Sequence, residues 1–304
     1  VPEPLGLLLW CIALSLTLYF AIRRSDFENG QKMFIFWFCS ETLLTSLFMQ
    51  QFNITIAAII IASYFLIEKE RDFWAAFLIV LGTFVKLYGV VGLAFFLFSR
   101  HKLRFSLSLL FWAVVLFIAP MLISSPQYVI EQYQEWIVCL SGKNVENINS
   151  IAQNISALGM VRRVTGNMSY SDLWLLLPAL VLFIIPYLRF DQYKHKAFRQ
   201  TILASVLLFV VLFSTGSESS SYIIALCGAC IWYFAAPWQR SKADIALMIF
   251  VFLLSSMGSS DLYPREFKRE IIQQYALKAL PCLIVWLRLC YEMSFKNYAY
   301  DKDI

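Results

Sequence analysis

Histidine is almost absent. His101 and His195 are the only two in 304 residues, and both sit in basic loops. That scarcity removes most metal-site and histidine-base chemistries. Charge is scarce as well: Asp, Glu, Lys and Arg make up 15% of the chain, against about 25% in an ordinary soluble domain. No P-loop, GxSxG, HExxH or dinucleotide fingerprint occurs. The seven cysteines are scattered, most of them inside apolar runs, where Cys behaves as a small hydrophobe. Cys227 and Cys230 have CxxC spacing but no partner pair, so neither a disulfide scaffold nor a metal site is expected. No cofactor is called for.

Apolar residues fill the space that charge leaves. They reach 60%, with 27 Phe, 15 Tyr and 9 Trp, and the mean hydropathy is +0.67. A water-soluble globule of this size cannot hide so much apolar surface. The expected class is an all-α, polytopic transmembrane bundle, one domain over 1–304. The net charge of +5 comes from 25 Lys and Arg against 20 Asp and Glu. In such a chain it reflects cytoplasmic loops and contact with anionic membrane lipid, not nucleic acid. The chain opens at Val1 with VPEPLGLLLW, which has neither a basic n-region nor a small-residue cleavage site. It reads as the later part of a longer protein.

Apolar runs recur at 5–22, 33–49, 54–67, 73–98, 105–124, 173–188, 201–214, 222–236, 245–256 and 276–290, giving about ten expected membrane segments. The run from Phe73 to Phe98 decides the topology. As one helix it would be about 39 Å long, and it would carry Arg100, Lys102 and Arg104 to the outside. As two half-length helices folding back at Lys86, it keeps both basic flanks inside. The fold-back gathers most cations on the cytoplasmic side, among them Arg23, Arg24, Lys32, Lys69, Arg71, Arg199, Arg240, Arg288 and Lys302. Two segments then face outward, 125–171 and 258–275. In the first, Val129, Ile130, Tyr133, Trp136, Ile137 and Leu140 recur at helical spacing opposite Gln127, Glu131, Gln134 and Glu135, the pattern of an interfacial helix. In the second, Pro264 can open a helix with Phe267, Ile271 and Tyr275 on one stripe.

Polar groups in apolar spans carry a cost and so invite a role. Glu41, inside the second run, reads either as a structural carboxylate or as a proton or substrate contact. Gln50, Gln51 and Asn53 offer amides that either bind sugar hydroxyls or cap the next helix. Lys86 reads either as a phosphate contact at the hairpin tip or as a snorkelling side chain. Arg162 and Arg163 lie on the face where positive charge is least expected, as headgroup or substrate-phosphate contacts. Glu218 sits in a serine-rich helix start, as cap or as sugar contact. Asp261, Arg265 and Lys278 come close together before the last span.

These stretches, in their order, resemble glycosyltransferase family 87. QQFN, the hairpin around FVKLYG and FLFSRHKLRF are similar to the core of that family. QNISALGMVRR looks like its Asn/Asp-x-Ser-x-x-Gly loop, which would make Asn154 and Ser156 site residues. STGSESSSYI looks like its polar motif before a late span, with Glu218 and Tyr222. LYP followed by ALKALP, with Lys278, resembles the C-terminal end of Bacteroidetes-type members. The resemblance implies a GT-C-like multi-pass enzyme of a bacterial inner membrane. Its donor would be a polyprenyl-phosphate-linked hexose, with mannose the sugar of several members. Its acceptor would be a lipid or glycan on the non-cytoplasmic face. It would place donor phosphate at Lys86, Arg162 and Arg163, and sugar or lipid at Gln51, Asn53, Asn154, Ser156, Glu218, Tyr222 and Lys278. The family's usual base, an Asp in an early exterior loop, would lie before Val1, with Glu218 or Asp261 as substitutes. A lipid-linked saccharide transporter or flippase, or an O-antigen polymerase or ligase, is the alternative.

Overall fold

The computed structural model describes residues 2–299, without the side chains at 144 and 149. Val1 and Lys302 lie outside them. Every regular element among the described residues is helical. The first apolar run forms α1 (Glu3–Arg23). The second is broken at Cys39 into α2 (Asn29–Phe38) and α3 (Ser40–Phe48), and the third is α4 (Asn53–Glu68). The run from Phe73 to Phe98 does break at Lys86. α5 (Asp72–Val85) ends there, Lys86 is extended with φ −152° and ψ 125°, and a 3-10 helix, Leu87–Phe98, follows. The two arms pack on each other so closely that a Cβ at Gly89 would collide with the backbone of Gly82. The fold-back inferred from charge is thus a geometric feature of the chain.

Beyond the hairpin run α6 (Lys102–Ile118), α7 (Pro126–Asn149), α8 (Ala157–Thr165), α9 (Leu173–Ile184), α10 (Lys196–Leu212), α11 (Tyr222–Ala235) and α12 (Lys242–Phe250). α12 continues as a π-helical turn, Val251–Ser256, and a 3-10 turn, Met257–Ser259. Then come α13 (Arg265–Phe267), prolonged by a π turn over Lys268–Gln273, and α14 (Ala279–Phe295). Three stretches are long and apolar enough to cross a membrane: Glu3–Arg23, Lys102–Leu122 and Lys242–Ser259. Asn53–Glu68, Asp72–Val85, Leu87–Phe98, Leu173–Leu188 and Ser219–Ala235 are apolar but shorter. The expectation of about ten spans is therefore met only in part. At roughly 1.5 Å per residue, a 14- or 16-residue helix falls short of a ~30 Å hydrocarbon core.

α4, α10 and α11 are the inner helices, buried on nearly every face, as helices apolar all round must be. Small residues on α10 and α11, such as Ala204, Ala225 and Ala229, allow the close packing that holds helices together in lipid, where no hydrophobic drive separates helix from solvent. One end of this core is tied by charge. Arg199 grips Glu68 through two bonds of 2.8 and 2.7 Å. Glu292, almost fully buried, accepts from Arg240 at 3.0 Å and from the Trp232 indole at 2.8 Å. Arg288 reaches Asp244 at 3.1 Å. These cations belong to the set read as cytoplasmic.

The outward segments are helical as expected, with one correction of register. In α7 only Val129 of the apolar stripe is buried, and Ile130, Ile137 and Leu140 are exposed. Pro264 does open α13. Phe267, Ile271 and Tyr275 are all exposed, however, and the buried residue there is Ile272. The π winding of Lys268–Gln273 adds a residue per turn and rotates the stripe that 3.6-residue periodicity assigns.

Candidate functional site

The opposite end of the core is held by a polar network centred on Asn53, the first residue of α4. Asn53 is fully buried. Its Oδ1 accepts from Lys86 Nζ at 2.6 Å, and its Nδ2 donates to Ser220 Oγ at 3.1 Å. Ser220 in turn donates to Glu218 at 3.4 Å, and Ser46 Oγ donates to the Ser220 carbonyl at 2.6 Å. Glu218 precedes the 3-10 turn Ser219–Ser221, and its N–H donates to Ser221 Oγ at 3.2 Å. The serine-rich segment is therefore a helix start, and the same residues fasten α3, α4 and α11 to the hairpin tip. Tyr88 adds a contact from the hairpin to Ser214 at 2.9 Å, and its ring lies 4.9 Å from the Lys86 ammonium. Glu218 acts on Lys86 through its charge without forming an ion pair.

A cleft of about 1180 Å³ opens beside this network. Its lining mixes two chemistries. Leu7 and Cys11 of α1 and Leu44, Leu47 and Phe48 of α3 are apolar. Glu41 and Thr45 of α3, with Ser219, Ser259, Ser260 and Asp261, are polar. Asp261 is engaged by Lys268 at 3.1 Å. Glu41 has no hydrogen bond or ion pair among the described residues. Lys278, at the start of α14, lies behind Ser259. It is 2% exposed, donates to Ser259 Oγ at 2.9 Å and stands 5.2 Å from the Tyr222 ring. Glu41 is the carboxylate whose charge acts on it. An ammonium has three N–H donors, and a buried one with a single hydroxyl acceptor is costly unless an anion joins it.

The cleft thus combines apolar and polar side chains, with the Glu41 carboxylate in its lining and the Lys278 ammonium buried behind Ser259. A family model, glycosyltransferase family 87, matches residues 1–215. The chain belongs to glycosyltransferase family 87. It is accordingly a glycosyltransferase and a membrane protein. No curated protein matches the chain.

Family membership gives the loop before α8 its meaning. Asn154 adopts a left-handed φ of 52°, its Oδ1 accepts from Ser156 Oγ at 2.7 Å, and Ser156 Oγ accepts from Gly159 N at 3.1 Å. Gly159 rests directly on the Asn154 carbonyl, where a Cβ has no room. Asn-x-Ser-x-x-Gly is thus a self-fastening turn that starts a helix. The turn is docked by Ile155, whose N–H donates to the Ser217 carbonyl at 2.8 Å and whose carbonyl accepts from Tyr222 OH at 3.0 Å. Asn154 and Ser156 are buried in that role and do not line the cleft.

The two arginines expected at phosphate are also engaged by protein. Arg162 is buried, bonded to Asp172 at 2.6 Å and to the Tyr170 carbonyl at 3.1 Å. Arg163 donates to the carbonyls of Gln273, Ser150 and Gln153 at 2.9, 2.9 and 2.7 Å. It joins α8 to the second outward segment. At the end of α3 it is Gln50, with φ 53°, and not Gln51 that lines the cleft. Lys86 and Asn53 stand behind its wall. Glu41, for which the sequence favours a structural role bonded to a neighbouring helix, has no such bond among the described residues and lines the cleft. Its signal in the sequence was a lone carboxylate in an apolar run.

Proposed function

We propose that this family 87 enzyme transfers a hexose from a polyprenyl-phosphate-linked donor to a lipid or glycan acceptor on the non-cytoplasmic face of a bacterial inner membrane. The observation that carries the reading is the mixed lining of the cleft: apolar side chains of α1 and α3 suit a prenyl chain, and the hydroxyls and carboxylates among them suit a sugar. The acceptor hydroxyl attacks the anomeric carbon as the bond from that carbon to the phosphate oxygen breaks. Glu41 takes the hydroxyl proton, and the lipid phosphate leaves with the electron pair. Lys278, under Ser259, and Lys86, at the hairpin tip, are the ammonium groups offered to the leaving phosphate. Glu218 and Tyr222 keep the wall between them in shape. With Arg162 and Arg163 engaged by protein groups, no observation favours the polymerase or ligase alternative.

The test uses the protein in lipid nanodiscs with polyprenyl-phosphate mannose as donor and an alkyl mannoside as acceptor probe. Acceptor-dependent release of polyprenyl phosphate is expected. Glu41→Gln should reduce it by about a hundredfold or more, the usual weight of a general base. Failure to consume any polyprenyl-phosphate hexose would overturn the donor assignment. Full activity of Glu41→Gln would overturn the choice of base.

A further inference from the structure

A second cavity, of about 700 Å³, lies between α1, α4 and α5 at the other end of the core. Its floor is made of small side chains, Ala21, Ala58 and Ala62, so the three helices leave a trough instead of a packed seam. The trough opens beside the outer face of α1, where Leu9, Ile12, Leu16 and Phe20 are exposed. At one end it meets Thr17 and Thr55, whose hydroxyls bond each other at 3.0 Å. At the other end stand Arg24, Lys69 and Arg71.

Those three cations are poorly matched by local acids. The Arg71 side chain has no partner among the described residues. Arg24 rests only on the Phe20 ring, 5.7 Å away. Lys69 is 3.5 Å from Asp26, which it shares with Lys196 at 3.1 Å. Of the neighbouring acids, Glu68 is taken by Arg199 and Glu70 by Arg100, and Asp72 is fully buried with neither carboxylate oxygen bonded to Arg71. Two free guanidiniums at the mouth of an apolar trough are the complement of one phosphate with a hydrocarbon chain attached. From Thr55 to Lys69 the trough runs about 20 Å along α4, more than half of a ~30 Å hydrocarbon core. An acyl chain entering at the Arg71 end therefore reaches past the membrane midplane.

We propose that this trough is a binding site for one anionic glycerophospholipid of the leaflet at the Arg24 end, its phosphate on Arg24 and Arg71 and one acyl chain along Ala58 and Ala62. The site is separate from the sugar-transfer cleft. Lys86 and Asn53 lie at the far end of α4, about 24 Å away. The lipid fills the seam between α1 and the inner helices, and so holds in place a helix that lines the cleft.

Native mass spectrometry of the detergent-purified protein tests this, with phosphatidylglycerol and phosphatidylcholine of identical chains as probes. Wild type should retain one phosphatidylglycerol at least about tenfold more tightly than phosphatidylcholine, as expected for two basic residues near a phosphate. Arg24→Gln with Arg71→Gln should bring the two lipids to equal affinity. Ala62→Phe should lower retention of both, and Ala62→Leu serves in its place if the larger ring prevents folding. Lys86→Met should leave phosphatidylglycerol retention unchanged. Equal retention of the two lipids by wild type, or an unaltered preference in the double variant, would overturn the proposal. So would loss of the phosphatidylglycerol adduct in Lys86→Met, which would assign it to the transfer site.

Discussion

Replacing Lys278 with Met separates a ligand-binding cation from a structural one, because the two roles predict opposite signs. The Lys278 side chain is 2% exposed, and its ammonium has one oxygen partner, Ser259 Oγ at 2.9 Å, and one ring, Tyr222 at 5.2 Å. Burying an ammonium costs several kcal/mol even after relaxation. Against that, a hydrogen bond to a charged group returns about 1.5–3 kcal/mol and a desolvated cation–π contact about 2 kcal/mol. Together these returns, about 3.5–5 kcal/mol, do little more than offset the cost, so the ammonium adds almost no net stability until an anion binds. Met fills nearly the same volume without the charge and leaves only the Ser259 hydroxyl short of a donor, at about 1 kcal/mol. Lys278→Met should therefore be at least as stable as wild type, by up to about 3 kcal/mol, and turn over donor about a hundredfold more slowly. Thermal unfolding in detergent reads the first quantity, and release of polyprenyl phosphate reads the second. Added donor should raise the unfolding midpoint of wild type and not of the variant. A variant that unfolds well below wild type but keeps its turnover per folded molecule would refute the argument and make Lys278 a packing residue.

The other expectations are briefer. Lys86→Met strips the donor from the buried Asn53 Oδ1, so in contrast it should lose about 1–3 kcal/mol in the same unfolding assay and about a hundredfold in turnover. Lys86→Arg should recover part of each, since a planar fork replaces a compact ammonium imperfectly. Glu292→Gln leaves Arg240, Arg288 and Lys296 without their shared acid and should cost about 3–5 kcal/mol, seen as a lower unfolding midpoint with the donor affinity of the folded fraction unchanged. Burial pushes the Asp26 carboxyl up, but its bond to Lys196 and the charge of Lys69 outweigh this and hold it below the usual carboxylate range. Its contribution is therefore full above about pH 4 and fades as pH falls through the depressed value. The unfolding midpoints of Asp26→Asn and wild type should differ at pH 7 and converge toward pH 3. Cys139, exposed on α7, should react with an impermeant maleimide from the non-cytoplasmic side in a variant lacking the other cysteines. Reaction only from the cytoplasmic side would invert the topology.

What was legible beforehand was whatever charge and hydropathy control locally. The break at Lys86 could be read because a continuous helix would carry three cations across the bilayer, and Pro264 marked its helix because proline suits a first turn. The Ile271 stripe was misread because a π turn breaks the 3.6-residue period, and nothing in KREIIQ announces that winding. The count of spans is met only in part for a related reason. Hydropathy marks a helix as apolar whether lipid or protein surrounds it, and α4 and α11 owe their composition to neighbouring helices.

The site was legible only as a set of candidates, because spacing along the chain does not say which polar group a buried donor will find. Asn154, Ser156, Arg162 and Arg163 carry the family's pattern, yet that pattern is used to build a turn and to fasten the outward segments. Glu41 and Lys278 are 237 positions apart, and the fold brings the first turn of α3 near enough to the start of α14 for the charge of Glu41 to act on Lys278. They share a property that explains their prominence in the fold. Among the described residues, Arg162 is matched by Asp172, Asp244 by Arg288 and Glu292 by Arg240, whereas Asp72 is buried without a partner. Beside the cleft, a buried ammonium lies within reach of the charge of a carboxylate to which it is not bonded. Closing that pair would stabilise the empty protein and occupy both groups. Held apart, each keeps its charge, as the proposed transfer from a lipid phosphate would require, the cation for the phosphate and the carboxylate for the acceptor proton.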